Sequence, residues 1–582
     1  MTPAYIDGCF AMLHPAHGRR GVVICGPIGD EALNSYRPLV FLAEALAAAD
    51  YPTLRFHYHG TGDSAGSEQD ADRPGVWQHN VAAAVDWLHN HCDVASVTVI
   101  GVRIGAAFAS RIANTAPHID SLVLILPVAG RRLLHELTIA GQITQRVWRT
   151  SNKVDDGAWF EAHGVRLDHV SRDAMKSLDV SPPSGTPVLQ IDAASSDDIG
   201  CIMRDSHLAI MPRAAIARIV AWVAALPSEP PRTGAVHPGN PTLDLGFARE
   251  TPVQFGADGA LFGILCQPSQ QRDAPPVLLL NTSANPRVGN ARIAVDMARR
   301  LAAEGIASLR MDSAGIGDSA PGAGELGRPY TEATTNDVRH AVELLHQQTT
   351  RPAIVLGICS GAYHALQVGL LDARVGGLVL VNLQRFVWRE GDPPDAIRRD
   401  DLRPTQFYLR HILDWRSWRR LLLADFDVLN LIRVLSLRAL LRFVASLDPV
   451  FALIAGGATR VGRVRRSVRA LGLRAVPILY VLGNNDPGIE ELAAYFGADG
   501  NRLRQQAGVT FRTLADSDHT LSNHRVRAAL IEEIVTWINR EFPPQPVLEQ
   551  TAPAPQPSHA VKDSHAAQDD FVMAGRGPGQ PG

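Results

Sequence analysis

The chain is predicted to fold as two tandem α/β domains, each a mostly parallel sheet flanked by helices. Three observations predict this. Short apolar runs alternate with longer amphipathic stretches through both halves, the pattern of buried parallel strands joined by helical crossovers. A pair of motifs occurs twice, 255 positions apart, a period too long for a solenoid and right for a duplicated domain. A Pro-rich polar stretch, Pro227-Ser228-Glu229-Pro230-Pro231, separates the copies and reads as a linker.

The elements follow in order. In the first half 22–25, 97–100, 122–126 and 188–191 read as buried strands; their counterparts are 277–280, 354–356, 378–381 and 478–482. Helices are expected over 40–49 and 291–304, where apolar residues recur every three to four positions. The expected boundaries are a first domain at 1–226, a linker at 227–243 and a second domain at 244–542. A tail at 543–582, rich in Pro, Ala, Gln and Gly, is expected to be disordered. The halves differ most at an insert over about 384–475, which lies where a lid would cover the ends of the strands. Residues 384–474 hold 18 arginines against 9 acidic residues, interleaved with Trp388, Trp415 and Trp418.

Bulk composition narrows the function. The 582 residues carry a formal net charge of −3, so no global field favours nucleic acid. Cys9, Cys25, Cys92, Cys201, Cys266 and Cys359 form no CxxC pair, which argues against a zinc site or disulfide framework and for a reducing compartment. No secretory leader and no membrane-spanning apolar run stands out, so a cytoplasmic protein without metal or organic cofactor is expected.

The repeated motifs carry the chemistry. Leu54-Arg55-Phe56-His57-Tyr58-His59-Gly60-Thr61-Gly62-Asp63-Ser64 precedes Gly101-Val102-Arg103-Ile104-Gly105. Leu309-Arg310-Met311-Asp312-Ser313-Ala314-Gly315-Ile316-Gly317-Asp318-Ser319 precedes Gly357-Ile358-Cys359-Ser360-Gly361. Gly-x-nucleophile-x-Gly is a strand-to-helix elbow, in which small flanking residues permit a sharp turn. Cys359 is the expected nucleophile. Arg103 stands at the same point in the first half and cannot attack a carbonyl. The remaining partners follow in chain order: Asp486, just past the strand 478–482, would orient His519, which would take the Cys359 thiol proton. The oxyanion hole is expected from the Ser360 backbone N–H and from Thr282 or Ser283 in the loop after 277–280. Ser360 is a rival nucleophile, Asp518 a rival acid or loop cap, and His524 a solvated histidine at a helix start.

On these residues both halves resemble α/β-hydrolase domains. The second is similar to serine-aminopeptidase-like and dienelactone-hydrolase-like branches, the latter implying a Cys-Asp-His set. Arg287-Val288-Gly289-Asn290-Ala291-Arg292, with the Leu309 and Gly315 segments, also resembles hydrolases encoded with exosortase and exopolysaccharide systems. The Gly-x-Arg-x-Gly turn resembles a companion protein of those systems. In the first half, His207 and Asp197 or Asp198 stand where a histidine and acid would, and Arg103 is expected either to pair with that acid or to hold an anionic ligand. Arg287 and Arg292 flank the oxyanion loop, so a small acyl substrate with an anionic part is expected. The basic, Leu-rich insert permits peripheral membrane contact. Three classes follow: an esterase or thioesterase, an acyltransferase using the same intermediate, or a non-catalytic scaffold.

Overall fold

Two open sheets are built from the two halves of the chain. In this computed structural model the described residues are 1–148, 150–151, 153–194, 198–230, 239–321, 330–388 and 459–543. The first half contains β1 (Thr2–Ile6), β2 (Cys9–His14), β3 (Arg20–Cys25), β4 (Thr53–Phe56), β5 (Ser96–Val102), β6 (Ile119–Ile125), β7 (Trp159–Ala162), β8 (Val165–Asp168) and β9 (Val188–Ile191). Its seven-stranded sheet runs β1-β2-β4-β3-β5-β6-β9, with β7 and β8 forming a separate hairpin. The second half contains β10 (Leu243–Asp244), β11 (Ala248–Phe255), β12 (Leu261–Pro268), β13 (Val277–Leu279), β14 (Ser308–Asp312), β15 (Ala353–Ile358), β16 (Val375–Val381), β17 (Ile478–Gly483) and β18 (Val509–Leu514). Its sheet runs β10-β11-β12-β14-β13-β15-β16-β17-β18.

Within each sheet the strands from β4 and β14 onward pair in parallel, and an antiparallel hairpin closes one edge. The two sheets therefore share one order over seven strands, to which the second adds β10 and β18 at its edges. All eight expected buried runs are strands. The hairpins β1–β2 and β11–β12 were not among them. The first turns on Asp7-Gly8, both at positive φ (47° and 77°), the two-residue loop that Asp-Gly favours because its twist matches the flanking strands. The helix expected over 40–49 runs instead over Asp30–Ala48, with Pro38 inside it; that expected over 291–304 is Ile293–Ala303.

The two halves are not separate bodies. Residues 1–543 form one compact unit, and the described parts of the expected linker are packed rather than free. Arg20 donates to the Pro227 carbonyl at 2.5 Å, Arg19 pairs with Glu229 at 2.9 Å, and Tyr5 N–H donates to Asn240 O at 2.9 Å. Most of the expected lid (389–458) and the tail beyond 543 lie outside the described residues. Among the described residues no helix is long and apolar enough to cross a membrane.

What joins the halves is a buried ionic cluster built from the repeated motif itself. Arg55 Nη2 donates to Asp318 at 2.7 Å, and its counterpart Arg310 Nη2 donates to Asp63 at 3.1 Å. Each arginine thus pairs with the aspartate of the other copy, a reciprocal arrangement like that of a two-fold dimer. Phe10 and Phe262, at matching positions on β2 and β12, meet across the same junction with ring centroids 6.4 Å apart.

Candidate active site

Both elbows are preserved as backbone geometry. Cys359 holds φ 56° and ψ −116°, and Arg103 holds φ 55°. Such a conformation costs a non-glycine residue about 1–3 kcal/mol and persists only where the surroundings enforce it. Tight packing enforces it here. A Cβ on Gly357 would lie 2.0 Å from the Gly361 carbonyl carbon, and one on Gly105 would lie 2.1 Å from Cys25 O. Only the second elbow presents a nucleophile.

Around Cys359 the expected acid and histidine are in place. The His519 Nδ1 and Asp486 Oδ2 atoms are 2.6 Å apart, and the other Asp486 oxygen accepts the Gly488 N–H at 2.7 Å. Asp486 is buried, so its charge acts through little water. Burial alone would push the His519 pKa down. The Asp486 carboxylate, hydrogen-bonded to it, and the nearby Cys359 sulfur override that and hold the imidazole well above its ordinary value. With Nδ1 committed to Asp486, Nε2 is the atom left for the thiol.

Four neighbours of this set were absent from the sequence reading. The Gln384 amide bridges thiol and imidazole: its Oε1 is 3.9 Å from Cys359 Sγ, and its Nε2 is 3.2 and 3.3 Å from the two ring nitrogens of His519. Asn382 ties the two loops together, donating to the His519 carbonyl at 3.2 Å and accepting the Gly483 N–H at 2.9 Å. Tyr330 lies near Cys359; burial first, then the charge of that sulfur, push its phenol pKa well up. It stacks on Trp388 with centroids 4.8 Å apart. Trp148, from the first half, lies 6.3 Å from the His519 ring in a stacked orientation. Aromatic residues flanking a Gly-rich motif carry no periodic signal; Asn382, at φ 49° directly after β16, was the most readable of the four.

The oxyanion candidates divide. The Ser360 N–H lies in the first turn of the helix Ser360–Leu371, where helix N–H groups have no intrahelical acceptor. The Ser283 N–H points at the same elbow and donates to Ser360 Oγ at 2.7 Å. That hydrogen bond engages the Ser360 hydroxyl with the loop rather than with His519. Thr282 contributes its carbonyl to a turn, accepting the Asn285 N–H at 3.0 Å. Asp518 is a loop cap, accepting the Ser522 N–H at 2.9 Å.

Arg287 and Arg292 are engaged across the junction between the halves rather than left open beside Cys359. The Arg287 side chain is fully buried among Asp63 (2.8 Å), Asp312 (2.6 Å) and Asp318 (2.9 Å), and its guanidinium lies 4.5 Å from the Phe262 ring centroid. Arg292 is buried and donates to the carbonyls of Gly62 (2.9 Å), Gly66 (2.7 Å) and Ser64 (2.5 Å). Both arginines hold the two halves together. In the first half Arg103 does fill its site with ion pairs, but to Glu31 (3.0 Å) and Glu136 (2.5 Å) rather than to the expected acid. Asp198 instead caps the helix Arg213–Ala224, accepting from Ala214 and Ala215; Asp197 lies outside the described residues, and His207 is exposed. His524 is at a helix start as expected, yet it is bound to Glu68 of the first half at 2.5 Å rather than solvated. Among the described residues no cluster of His, Cys, Asp or Glu could hold a metal ion.

The sequence model of the alpha/beta hydrolase family matches residues 277–533, which span β13 to the last helix and include the whole Cys359, Asp486 and His519 set. Solved structures similar to this chain include a putative alpha/beta hydrolase from Agrobacterium tumefaciens (15% identity, 51% of this chain and 100% of that one, TM-score 0.30). Another is an a/b serine hydrolase without lid from Xanthomonas campestris (15%, 52% and 99%, 0.30). A third is dienelactone hydrolase from Anabaena variabilis (12%, 51% and 99%, 0.28). No curated protein is recognisably similar in sequence.

Proposed function

With residues 277–533 belonging to the alpha/beta hydrolase family, we propose that this hydrolase cleaves ester or thioester bonds through an acyl-Cys359 intermediate. What supports the reading is the constellation itself: a cysteine on a strained elbow, linked through the Gln384 amide to a histidine whose Nδ1 is 2.6 Å from a buried carboxylate. His519 Nε2 takes the Cys359 proton as sulfur attacks the acyl carbon, and Asp486 stabilises the imidazolium so formed. The Ser360 N–H faces the developing oxyanion. The Ser283 N–H joins it once the Ser360 hydroxyl gives up its hydrogen bond, which supplies a second donor only as charge develops. His519 then returns the proton to the leaving alcohol or thiol. A water activated by the same ring next releases the acid and restores the thiol.

Tyr330 stacked on Trp388, and Trp148 beside the His519 ring, place aromatic surface next to the site. That favours, as a second reading, transfer of the acyl group to an alcohol or amine instead of water. The anionic-substrate idea loses Arg287 and Arg292 and is not carried forward. Membrane contact rests on an insert mostly outside the described residues; co-sedimentation with anionic liposomes tests it.

Intact-mass spectrometry after incubation with activated acyl esters and thioesters tests the main reading. A gain of one acyl group in the wild type and none in Cys359→Ala is expected. An adduct retained in that variant would remove Cys359 from the role. The absence of any adduct and any turnover would leave a scaffold protein. Product analysis with added alcohol or amine separates hydrolysis from transfer.

A further inference from the structure

Away from Cys359, at the junction of the two halves, lies a cavity of about 120 Å³. One buried water needs about 10–15 Å³ on such a measure, so this space takes roughly eight to twelve non-hydrogen atoms. Its walls are the ends of β3 and β4, the helix Asp30–Ala48 and the Pro286–Arg292 segment of the second half. None of Cys359, Asp486 or His519 lines it. Most of the wall is apolar, with Ile24, Leu33, Leu39 and Val288 among its residues.

One wall residue breaks the pattern of the interface. Arg73 is 4% exposed, and its Nε and Nη2 have no hydrogen-bond partner. Among the described residues no carboxylate makes an ion pair with it. The other buried arginines at this junction each have a close counter-group, Arg55, Arg287 and Arg310 aspartates and Arg292 three carbonyls, even where single donors such as Arg287 Nε and Arg310 Nε make no hydrogen bond; among the described residues Arg73 has only the face of Trp77, 5.1 Å away. Glu68 also lines the cavity but is committed to His524 and Arg527. Burial, against the attraction of Glu68, brings the Arg73 pKa down to about 10, as expected of a cation lacking a close counter-charge. His57 adds a second donor. Its Nδ1 accepts the Asp63 N–H at 3.0 Å, which places the ring proton on Nε2.

We propose that this cavity binds a small carboxylate with a short apolar tail, the carboxylate on Arg73 and the tail against the aliphatic wall. A buried guanidinium with open donors is costly, and a planar carboxylate matches its fork. Such a site gives the half without a nucleophile a binding role, and it does not depend on the acyl-cysteine reading.

Isothermal titration of the full chain with hexanoate, hexanol and inorganic phosphate tests it. Hexanoate is expected to bind once per chain, with hexanol and phosphate weaker by roughly ten- to hundredfold, the worth of charge-assisted hydrogen bonds. Arg73→Met should weaken hexanoate by the same factor while melting no lower than wild type without ligand, because it deletes an unpaired buried charge. Ala32→Phe, which fills the cavity and keeps Arg73, should also abolish binding. The proposal is overturned if hexanoate fails to bind, if neither substitution changes its affinity, or if phosphate binds as well as hexanoate. A clear drop in the melting temperature of unliganded Arg73→Met would likewise overturn it, since Arg73 would then serve the fold.

Discussion

Replacing Arg287 with methionine removes one cation from a cluster whose charges balance. Arg55, Arg287, Arg299 and Arg310 face Asp63, Asp312, Asp318 and Glu250, four against four, all at the seam between the halves. Methionine fills much of the volume but leaves three aspartates sharing Arg55 and Arg310, the latter already divided with Glu250. Breaking a buried ion pair from one side costs about 3–5 kcal/mol, mostly as the penalty of the charge left behind. With a urea slope of about 3 kcal/mol per molar, the unfolding midpoint should fall by roughly 1–1.7 M. Asp312 is the carboxyl that would yield: burial and neighbouring Asp318 already hold its pKa above the ordinary value, against the pull of Arg287. The deficit should therefore narrow as the pH falls towards 5, and Asp312→Asn added to Arg287→Met should recover a large part of it. Urea unfolding followed by tryptophan fluorescence at pH 7.5 and 5 measures both. A variant with wild-type stability and a raised KM for anionic esters would refute the structural role and restore the substrate-binding one.

Asp486→Asn should leave the fold intact and lower turnover by about 10²–10⁴-fold, because an amide cannot stabilise the imidazolium; steady-state kinetics on the best ester checks it. Gln384→Leu should shift the pH–rate profile of Cys359 acylation, since it strips the amide that touches thiol and ring; an unchanged profile would reduce Gln384 to filler. Burial would raise the Glu68 pKa, but the hydrogen bond from His524 and the charge of Arg527 bring it down to about 2. That depressed value makes its stabilisation complete above about pH 4.5 and lost as the pH falls towards 2, and Glu68→Gln should flatten this acid limb in melting curves. Residues 239–543 expressed alone should be poorly soluble and inactive, because the isolated half exposes Arg310, Asp318 and Phe262; a soluble, fully active fragment would contradict the fused interface.

The elbows and the triad were legible because covalent geometry dictates them. A nucleophile at φ 56° forces glycine at positions 357 and 361, and those glycines can be read without any knowledge of tertiary contacts. Asp486 and His519 announced themselves by following strand ends in the right order. The arginines were misread for the converse reason. Arg287 is one residue from a proline turn and looks like a loop cation. Its partners Asp63, Asp312 and Asp318 lie 25 to more than 200 positions away, and no local pattern reveals that the first copy's motif closes on the second's. Gln384 and Tyr330 were invisible because neutral polar and aromatic side chains acquire meaning only from what they face; Asn382 offered only its place directly after a strand.

Arg103 leaves the first half without a nucleophile at its elbow, yet the repeated motif of that half has a structural task, because it builds the seam. Asp63 and Ser64 stand where the second copy has Asp318 and Ser319, and all four do the same work at the junction: each serine accepts the N–H of the matching phenylalanine, Phe10 or Phe262, at 2.9 and 2.8 Å. The first half also reaches the catalytic loop directly. The Ser151 N–H donates to Asp516 at 2.7 Å, Trp148 stacks near His519, and Glu68 with Glu161 holds His524 and Arg527 at the start of the final helix. Residues 516–524 carry His519, and a catalytic histidine misplaced by about 1 Å can cost 10²-fold in rate. Fixing that loop from outside its own sheet gives the first half a role in placing His519. At the first elbow Glu31 and Glu136 satisfy the charge of Arg103, so that side chain is held within the first half.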